Sequence, residues 1–119
     1  MFSFDMITDR YGNEQVRYWL TQGDTCGITS VPYDSSGQVV DSDLISFVKF
    51  KLYRPDKSKE CFFEKIMEYD GAAYVLHLST IETSAIPVGK YRYEIEYTFE
   101  NNDVNTPNQS DFEITEQAL

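Results

Sequence analysis

The chain has 119 residues, the size of one domain, and we assign residues 1–119 to a single unit. Twenty acidic residues against ten basic ones give a formal net charge of −10. So acidic a surface repels phosphate, which excludes nucleic acid and anionic membranes from the expected partners. Aromatic residues make up 15% of the chain and favour a β protein, because they suit a pleated, half-buried surface.

The N-terminal segment, residues 1–13, is predicted to form a first strand or an arm along a sheet edge. The large apolar residues Phe2, Phe4 and Met6 occupy every second position, which is the period of a strand. The residues DRYGN at 9–13 indicate a turn after it.

The next two strands are separated by a tight turn. Val16, Tyr18 and Leu20 are predicted to form the inner face of the second strand. The residues TQGDT at 21–25 contain a Gly-Asp pair typical of a reversal, and a third strand begins at Cys26.

The middle of the chain alternates polar loops with apolar strands. DSSGQVVDSD at 34–43 is predicted to be a loop in which Gly37 takes a left-handed turn position. A long strand follows, and RPDKSK at 54–59 is another polar turn. CFFEKIME at 61–68 fits helical spacing about as well as a strand, and we assign it to a strand because its neighbours are strands. The residues predicted to face the core in the long strand are Leu44, Val48, Phe50 and Leu52.

The last third contains the clearest period. After the Asp70-Gly71 turn and a connector at 80–85 that has room for one helical turn, residues 90–99 alternate without a slip. A polar loop at 101–109 precedes a final strand at 111–115. The predicted inner side chains of these strands are Tyr91, Tyr93, Ile95, Tyr97, Phe99, Phe112 and Ile114. About eight short strands with turn signals between them predict an all-β, antiparallel sandwich.

No motif in the sequence indicates catalysis, so we expect no enzyme, no cofactor and no metal. His77 is the one histidine, and no nucleophile or carboxylate is tied to it by a motif. Asp34, Asp41 and Asp43 share a loop, but their spacing differs from a calcium loop. Cys26 and Cys61 match no metal-ligand spacing. A disulfide is the alternative if their strands face each other, but without a secretory signal we expect two reduced, buried thiols.

Several apolar residues fall on outward phases and form a hypothetical interface. If their strands share one sheet, these residues make a contiguous patch of the kind that binds a partner. The alternative is that a loop or the N-terminal arm covers them within the same chain. Together with Phe2, Phe4 and Met6 of the arm, the candidate interface residues are Trp19, Val31, Tyr33, Ile45 and Phe47.

The order of these signals resembles the N-terminal domain of bacteriophage baseplate upper proteins and related Ig-like domains of phage tail and virion proteins. The resemblance rests on QGDT at 22–25, YDSSGQVVD at 33–41, the FVKFKLY strand, the YDG turn, IPVGKYRYEIEY at 86–97 and the final FEI. It spans residues 16–115 and implies an Ig-like sandwich that anchors other virion proteins without catalysis. The sequence departs from that family in two ways: it stops after the one domain, where those proteins usually continue into a stalk, and it begins with the apolar arm.

The expected function is therefore that of a non-enzymatic virion structural protein of the tail, baseplate or connector. Its expected partners are other virion proteins and further copies of itself. Without a secretory signal at the N-terminus, we expect synthesis in the bacterial host cytoplasm and a final place in the virion. The alternatives are a capsid decoration protein and a carbohydrate-binding module, in which Trp19, Tyr33, Phe47 and Tyr53 stack on sugar rings.

Overall fold

The computed structural model describes residues 2–8, 14–34, 36–55 and 60–116. The predicted turn at 9–13 and the 56–59 part of the second polar turn lie outside these residues. None of the helices in the described ranges is long and apolar enough to cross a membrane. The elements are β1 (Phe2–Thr8), β2 (Glu14–Thr21), β3 (Cys26–Ser30), a 3-10 helix (Ser42–Leu44), β4 (Ile45–Tyr53), β5 (Cys61–Tyr69), β6 (Tyr74–Leu78), α1 (Thr80–Ala85), β7 (Gly89–Phe99) and β8 (Val104–Thr115).

The strands pair in the order β1-β2-β8-β7-β4-β5-β6-β3. Strand β5 joins two layers, because its residues up to Met67 pair with β4 while Glu68 and Tyr69 pair with β6. The second layer, β6 and β3, lies over the first, as the Tyr74 and Tyr97 rings meet with centroids 5.7 Å apart. The predicted all-β, Ig-like sandwich of about eight strands is confirmed. One pair departs from the antiparallel expectation, since β2 runs parallel to β8.

Strand β7 supplies the centre of the core, as its alternation predicts. Tyr91, Tyr93, Ile95 and Tyr97 are buried, and Phe99 packs against the core while remaining partly exposed. Arg92 is exposed, as predicted, whereas Glu94 and Glu96 are only partly exposed. Glu96 is partly covered because it has a cross-strand partner: Lys51 Nζ donates to its carboxylate at 3.1 Å. The largest fully buried side chains of the core are Tyr93, Tyr97, Phe50, Phe112, Leu20, Ile28, Leu52, Leu76, Leu78, Ile95, Ile114 and Val48.

The hydroxyl groups of the β7 tyrosines tie the strands together. Tyr93 donates to the Val16 carbonyl of β2 at 2.5 Å. Tyr97 donates to Ser30 Oγ of β3 at 2.5 Å, because the Ser30 hydroxyl donates its own hydrogen to Asn108 Oδ1 at 3.0 Å. Burial of the two phenols raises the pKa of each, so both remain neutral donors.

The connector before β7 forms the predicted helical turn, α1. Ser79 caps it by accepting from the Glu82 N–H, and the Glu82 carboxylate accepts from the Ser79 N–H in return. That backbone hydrogen bond, together with Lys65 Nζ at 2.9 Å, lowers the pKa of Glu82. Thr83 then donates to the Asp24 carbonyl at 2.8 Å, which fixes α1 against the β2–β3 turn.

The predicted faces at the start of β4 are wrong because the strand contains a bulge. The register to β7 shifts between Ile45 and Phe47, so one extra residue interrupts the alternation. Ile45 is therefore buried although it was predicted to point outward, and Phe47 is exposed as predicted. Leu44, predicted to be in the core, ends the 3-10 helix and is 57% exposed.

The predicted loop at 101–109 is also wrong over most of its length, because β8 begins at Val104. Its first half pairs with β7 alone, since the contact with β2 starts at Phe112. An edge position tolerates polar residues that a central strand does not. Pro107 fits here because it lies where the β7 register shifts between Ile95 and Tyr97, which is a bulge.

We predict that Tyr93→Phe lowers the free energy of unfolding by about 1–3 kcal/mol, because it leaves the partly buried Val16 carbonyl without the hydrogen bond that Tyr93 donates. Tyr33→Phe is the matched control, since this tyrosine is 63% exposed. Urea unfolding followed by tyrosine and tryptophan fluorescence measures both. Equal small losses for the two variants would mean that the hydrogen bond on Tyr93 contributes nothing.

Candidate interaction surfaces

The N-terminal arm is bound to its own chain but leaves one edge open. All seven residues of β1 pair with β2, from Phe2 with Leu20 to Thr8 with Glu14. The Phe2 ring stacks on Tyr18 with centroids 5.3 Å apart, and Tyr18 in turn meets the buried Tyr93 ring at 5.2 Å. Among the strands that the structure describes, β1 has no neighbour on its other side and so ends the first layer.

Phe4 is the most exposed aromatic side chain of the arm for which burial is described. It is 64% exposed, and its ring centroid lies 6.4 Å from that of Tyr18. The backbone of Met6 pairs with Val16, and the Met6 side chain lies outside what the structure describes. The open edge therefore carries a large apolar side chain beside it.

The five outward residues predicted on later strands do not form one patch. Trp19 lies on β2, whereas β3 stands at the far end of the pairing order, and β8 and β7 separate β2 from β4. Val31 and Trp19 are partly buried and Tyr33 and Phe47 are exposed. The fifth residue, Ile45, is in the core. These strands do belong to one continuous pairing order, but β2, β3 and β4 are not neighbours in it, so the outward residues do not lie side by side as one surface.

Trp19 instead borders a small hollow on the outer side of the first layer. Its Cα partner across the strands is Glu113, which pairs in turn with Lys90, and these side chains line the hollow with Arg17 and Asp111. The volume is about 220 Å³. The Arg17 guanidinium lies 5.1 Å from the centroid of the Trp19 ring, so a cation already occupies one ring face.

The four aromatic residues considered for sugar stacking are spread over the molecule. Trp19 is on β2, Tyr33 follows β3, and Phe47 and Tyr53 stand near opposite ends of β4. The Phe47 ring has Lys49 Nζ 5.3 Å from its centroid. Within the described residues no two of these rings are in contact, so they do not form the shared groove that the carbohydrate alternative needs.

The residues considered for chemistry occupy structural positions. His77 is exposed on β6, and its carbonyl accepts from Lys65 Nζ at 2.7 Å. Asp34 accepts from the Ser36 hydroxyl at 2.6 Å and from the N–H groups of Gln38 and Ser36 within its own loop, and these hydrogen bonds lower the pKa of Asp34. Asp41 caps the 3-10 helix by accepting from the Asp43 N–H. Gly37 has the predicted left-handed conformation, with φ of 83°.

The two cysteines are unpaired, as predicted, but only one is buried. Cys26 is 2% exposed, and desolvation raises the pKa of its thiol to about 12. Cys61 is exposed, contrary to expectation, and its Sγ donates to the Phe63 carbonyl at 3.2 Å. A register shift between Leu52 and Tyr53 places Cys61 opposite Tyr53 at the outer end of β5, away from the core.

Two exposed apolar residues lie together at a place where the sequence predicts no apolar surface. Leu44 was assigned to the core and Val104 to a loop, yet they are 57% and 59% exposed and line one groove. The sequence does carry a signal at this place. No lysine or arginine occurs in residues 18–48 or 93–119, which supply the groove, so acids there have no basic neighbours along the chain.

Comparison with known proteins gives little beyond the shape. No protein-family model matches the sequence, and no curated protein sequence matches it. A similar solved structure is that of the fibronectin(III)-like modules of CbhA from Clostridium thermocellum. The TM-score is 0.48 with 12% identity, over 86% of this chain and 89% of that chain. A likeness of this size carries no argument about what the chain binds. The chain is a β-sandwich domain, and its function has to be argued from its own surfaces.

We predict that one thiol reacts readily with a disulfide reagent in the folded protein, since Cys61 is exposed and Cys26 is buried. Unfolding in urea without reductant should release the second, because the raised pKa of Cys26 reflects burial alone. Cys61→Ser should abolish the fast reaction, whereas Cys26→Ser should leave it in place. Failure to find any thiol after unfolding would reveal a disulfide instead.

Proposed function

We propose that this β-sandwich is a non-enzymatic structural protein of a bacteriophage virion, located in the tail, baseplate or connector and acting through protein–protein assembly. The motifs that resemble baseplate upper proteins support the virion setting. The open edge of β1 supports assembly and is the observation that carries the proposal. The partner at this edge is a second copy of the chain.

An unpaired strand edge attracts another strand unless something blocks it. Edge strands are commonly protected by lysine, proline or bulges, and the residues FSFDMIT of β1 contain neither lysine nor proline. Pairing with β2 continues through all seven positions without a register shift. The outer edge of β1 thus presents regular, unprotected backbone donors and acceptors along its whole length.

A second copy fits this edge in a definite register. When two β1 strands pair antiparallel about a two-fold axis with Phe4 opposite Phe4, Phe2 falls opposite Met6 and Ser3 opposite Asp5. That register pairs aromatic with apolar residues and keeps the two Asp5 positions from lying directly opposite each other. Asp5 is the only charged residue in β1, so this contact carries little of the negative net charge of the protein.

The non-enzymatic part of the proposal is supported by what the polar residues do. His77 is exposed, and the loop aspartates Asp34 and Asp41 serve as hydrogen-bond acceptors in their own turns. Each therefore has a structural explanation.

Carbohydrate binding is the second candidate, and one observation favours it. Trp19 borders a hollow with Lys90, Asp111 and Glu113, which combines a ring with polar groups as sugar sites do. The other three aromatics lie elsewhere, and Arg17 covers part of the Trp19 ring. A role as a capsid decoration protein shares the assembly mechanism and differs in the place within the virion.

We predict that the purified protein dimerises and that Phe4→Lys weakens dimerisation at least about tenfold. The substitution removes from each copy an aromatic ring that the dimer contact would bury, and it places two cations opposite each other. Light scattering over a range of protein concentrations measures the mass. Phe4 is 64% exposed, so the variant should fold. Ile81→Lys is the matched control, since Ile81 is 82% exposed on α1.

A monomeric wild-type protein at all concentrations would contradict the proposed edge contact. Equal weakening by Ile81→Lys would also contradict it, since α1 is not part of that edge. Incorporation of tagged wild type and Phe4→Lys into phage particles tests the virion setting separately. Glycan binding by a monomer that is lost when Trp19 is replaced would favour the second candidate.

A further inference from the structure

A groove lies between the 3-10 helix and the turn that joins β7 to β8. It has a volume of about 580 Å³, within the roughly 300–1,000 Å³ of common binding pockets. Its apolar walls are Leu44, Phe99 and Val104. Leu44 and Val104 are more than half exposed, and Phe99 is partly exposed beside the core. The groove thus offers apolar surface that the described part of the chain leaves in contact with solvent.

The rim of this groove carries negative charge. Glu100 and Asp103 line it directly, and Asp43 is exposed next to Leu44 in the 3-10 helix. No lysine or arginine occurs in residues 18–48 or 93–119, the segments that contain every lining residue. Among the described residues, the ion pairs of Lys49, Lys51 and Lys65 are with Glu64, Glu96 and Glu82 and do not involve these three carboxylates.

The walls of the groove are held in place by local hydrogen bonds. The Glu100 N–H donates to the Leu44 carbonyl at 2.9 Å, which joins the two sides. In the turn, the Phe99 N–H donates to the Asp103 carbonyl at 2.9 Å, and Asn102 takes a positive φ of 70°. A binding surface that is already ordered loses less conformational entropy when a partner arrives.

We propose that this groove binds a partner protein through an apolar side chain flanked by lysine or arginine residues. The apolar walls suit the central side chain, and the unneutralised rim suits its basic flanks. Charge complementarity argues against a second copy placed groove to groove, because two acidic rims would repel. This site is separate from the β1 edge, so it would let one subunit hold a different virion protein while its edge holds another copy.

The test uses a short synthetic peptide, acetylated and amidated, in which a Phe-Leu pair lies between two pairs of basic residues. Amide chemical shifts of the ¹⁵N-labelled protein are followed during titration. We expect shifts centred on Leu44, Phe99, Glu100 and Val104, and binding that weakens as salt is raised. A peptide with Ala-Ala in place of Phe-Leu, and one with glutamates in place of the basic residues, should each bind at least about fivefold more weakly.

Matched variants separate the groove from the general acidity of the protein. Leu44→Ser should weaken peptide binding at least about fivefold, with Ile81→Ser as the exposed control. Glu100→Gln should weaken it roughly two- to fivefold, as rim charges do, with Glu116→Gln removing an equal charge elsewhere. Unchanged spectra outside the groove show that each variant is folded.

Three outcomes would overturn the proposal. Shifts spread over the whole surface, with equal effects of Glu100→Gln and Glu116→Gln, would mean unspecific attraction to an acidic protein. Equal binding of the Ala-Ala peptide would remove the role of the apolar walls. Self-association that Leu44→Ser abolishes would assign the groove to a second copy. The first two results leave the β1 edge untouched, whereas the third would also contradict the edge dimer. Phe4→Lys affects the β1 edge alone, so the two proposals can fail separately.

Discussion

The buried tyrosine hydroxyls of β7 have to find hydrogen-bond partners inside the protein, and the partners they find determine how the sandwich is assembled. Tyr93 reaches the backbone of β2, which is not adjacent to β7 in the sheet. Tyr97 reaches Ser30 on β3, the last strand of the other layer. Among the described residues no buried side-chain nitrogen or oxygen lacks a partner. Since an unpaired phenol in the core costs about 1–3 kcal/mol, these contacts favour one packing over its alternatives.

The position of β2 decides which surfaces remain available. Because β2 is held at Val16 and runs parallel to β8, it leaves its other side to β1, and the first layer ends in an apolar, nearly uncharged strand. The end of the sandwich at the β7–β8 turn is different in character, with apolar walls inside an acidic rim. Two surfaces of unlike chemistry suit a subunit that must bind two unlike neighbours. Assembly by both routes is the function we propose, and the virion setting rests on the sequence resemblance.

Much of the fold could be predicted from periodicity, because β7 and the inner half of β8 obey a strict period of two. The errors occur where the backbone departs from that period or where pairing is one-sided. The bulge at Ser46 reverses the faces at Ile45, and a bulge leaves no reliable mark in a short apolar run. The polar start of β8 looks like a loop because an edge strand needs no apolar alternation.

The candidate surfaces were less predictable than the fold, since they depend on which strands are neighbours. Trp19 and Phe47 do point outward, but the sequence does not reveal that β8 and β7 separate their strands. The arm at Phe2 and Phe4 was identified, whereas its pairing within the chain required the structure. Amide hydrogen exchange of β1 at low and high protein concentration tests the central claim most directly. The account predicts that alternate β1 amides, those on the open edge, exchange slowly only at high concentration. Rapid exchange of these amides at every concentration would contradict it.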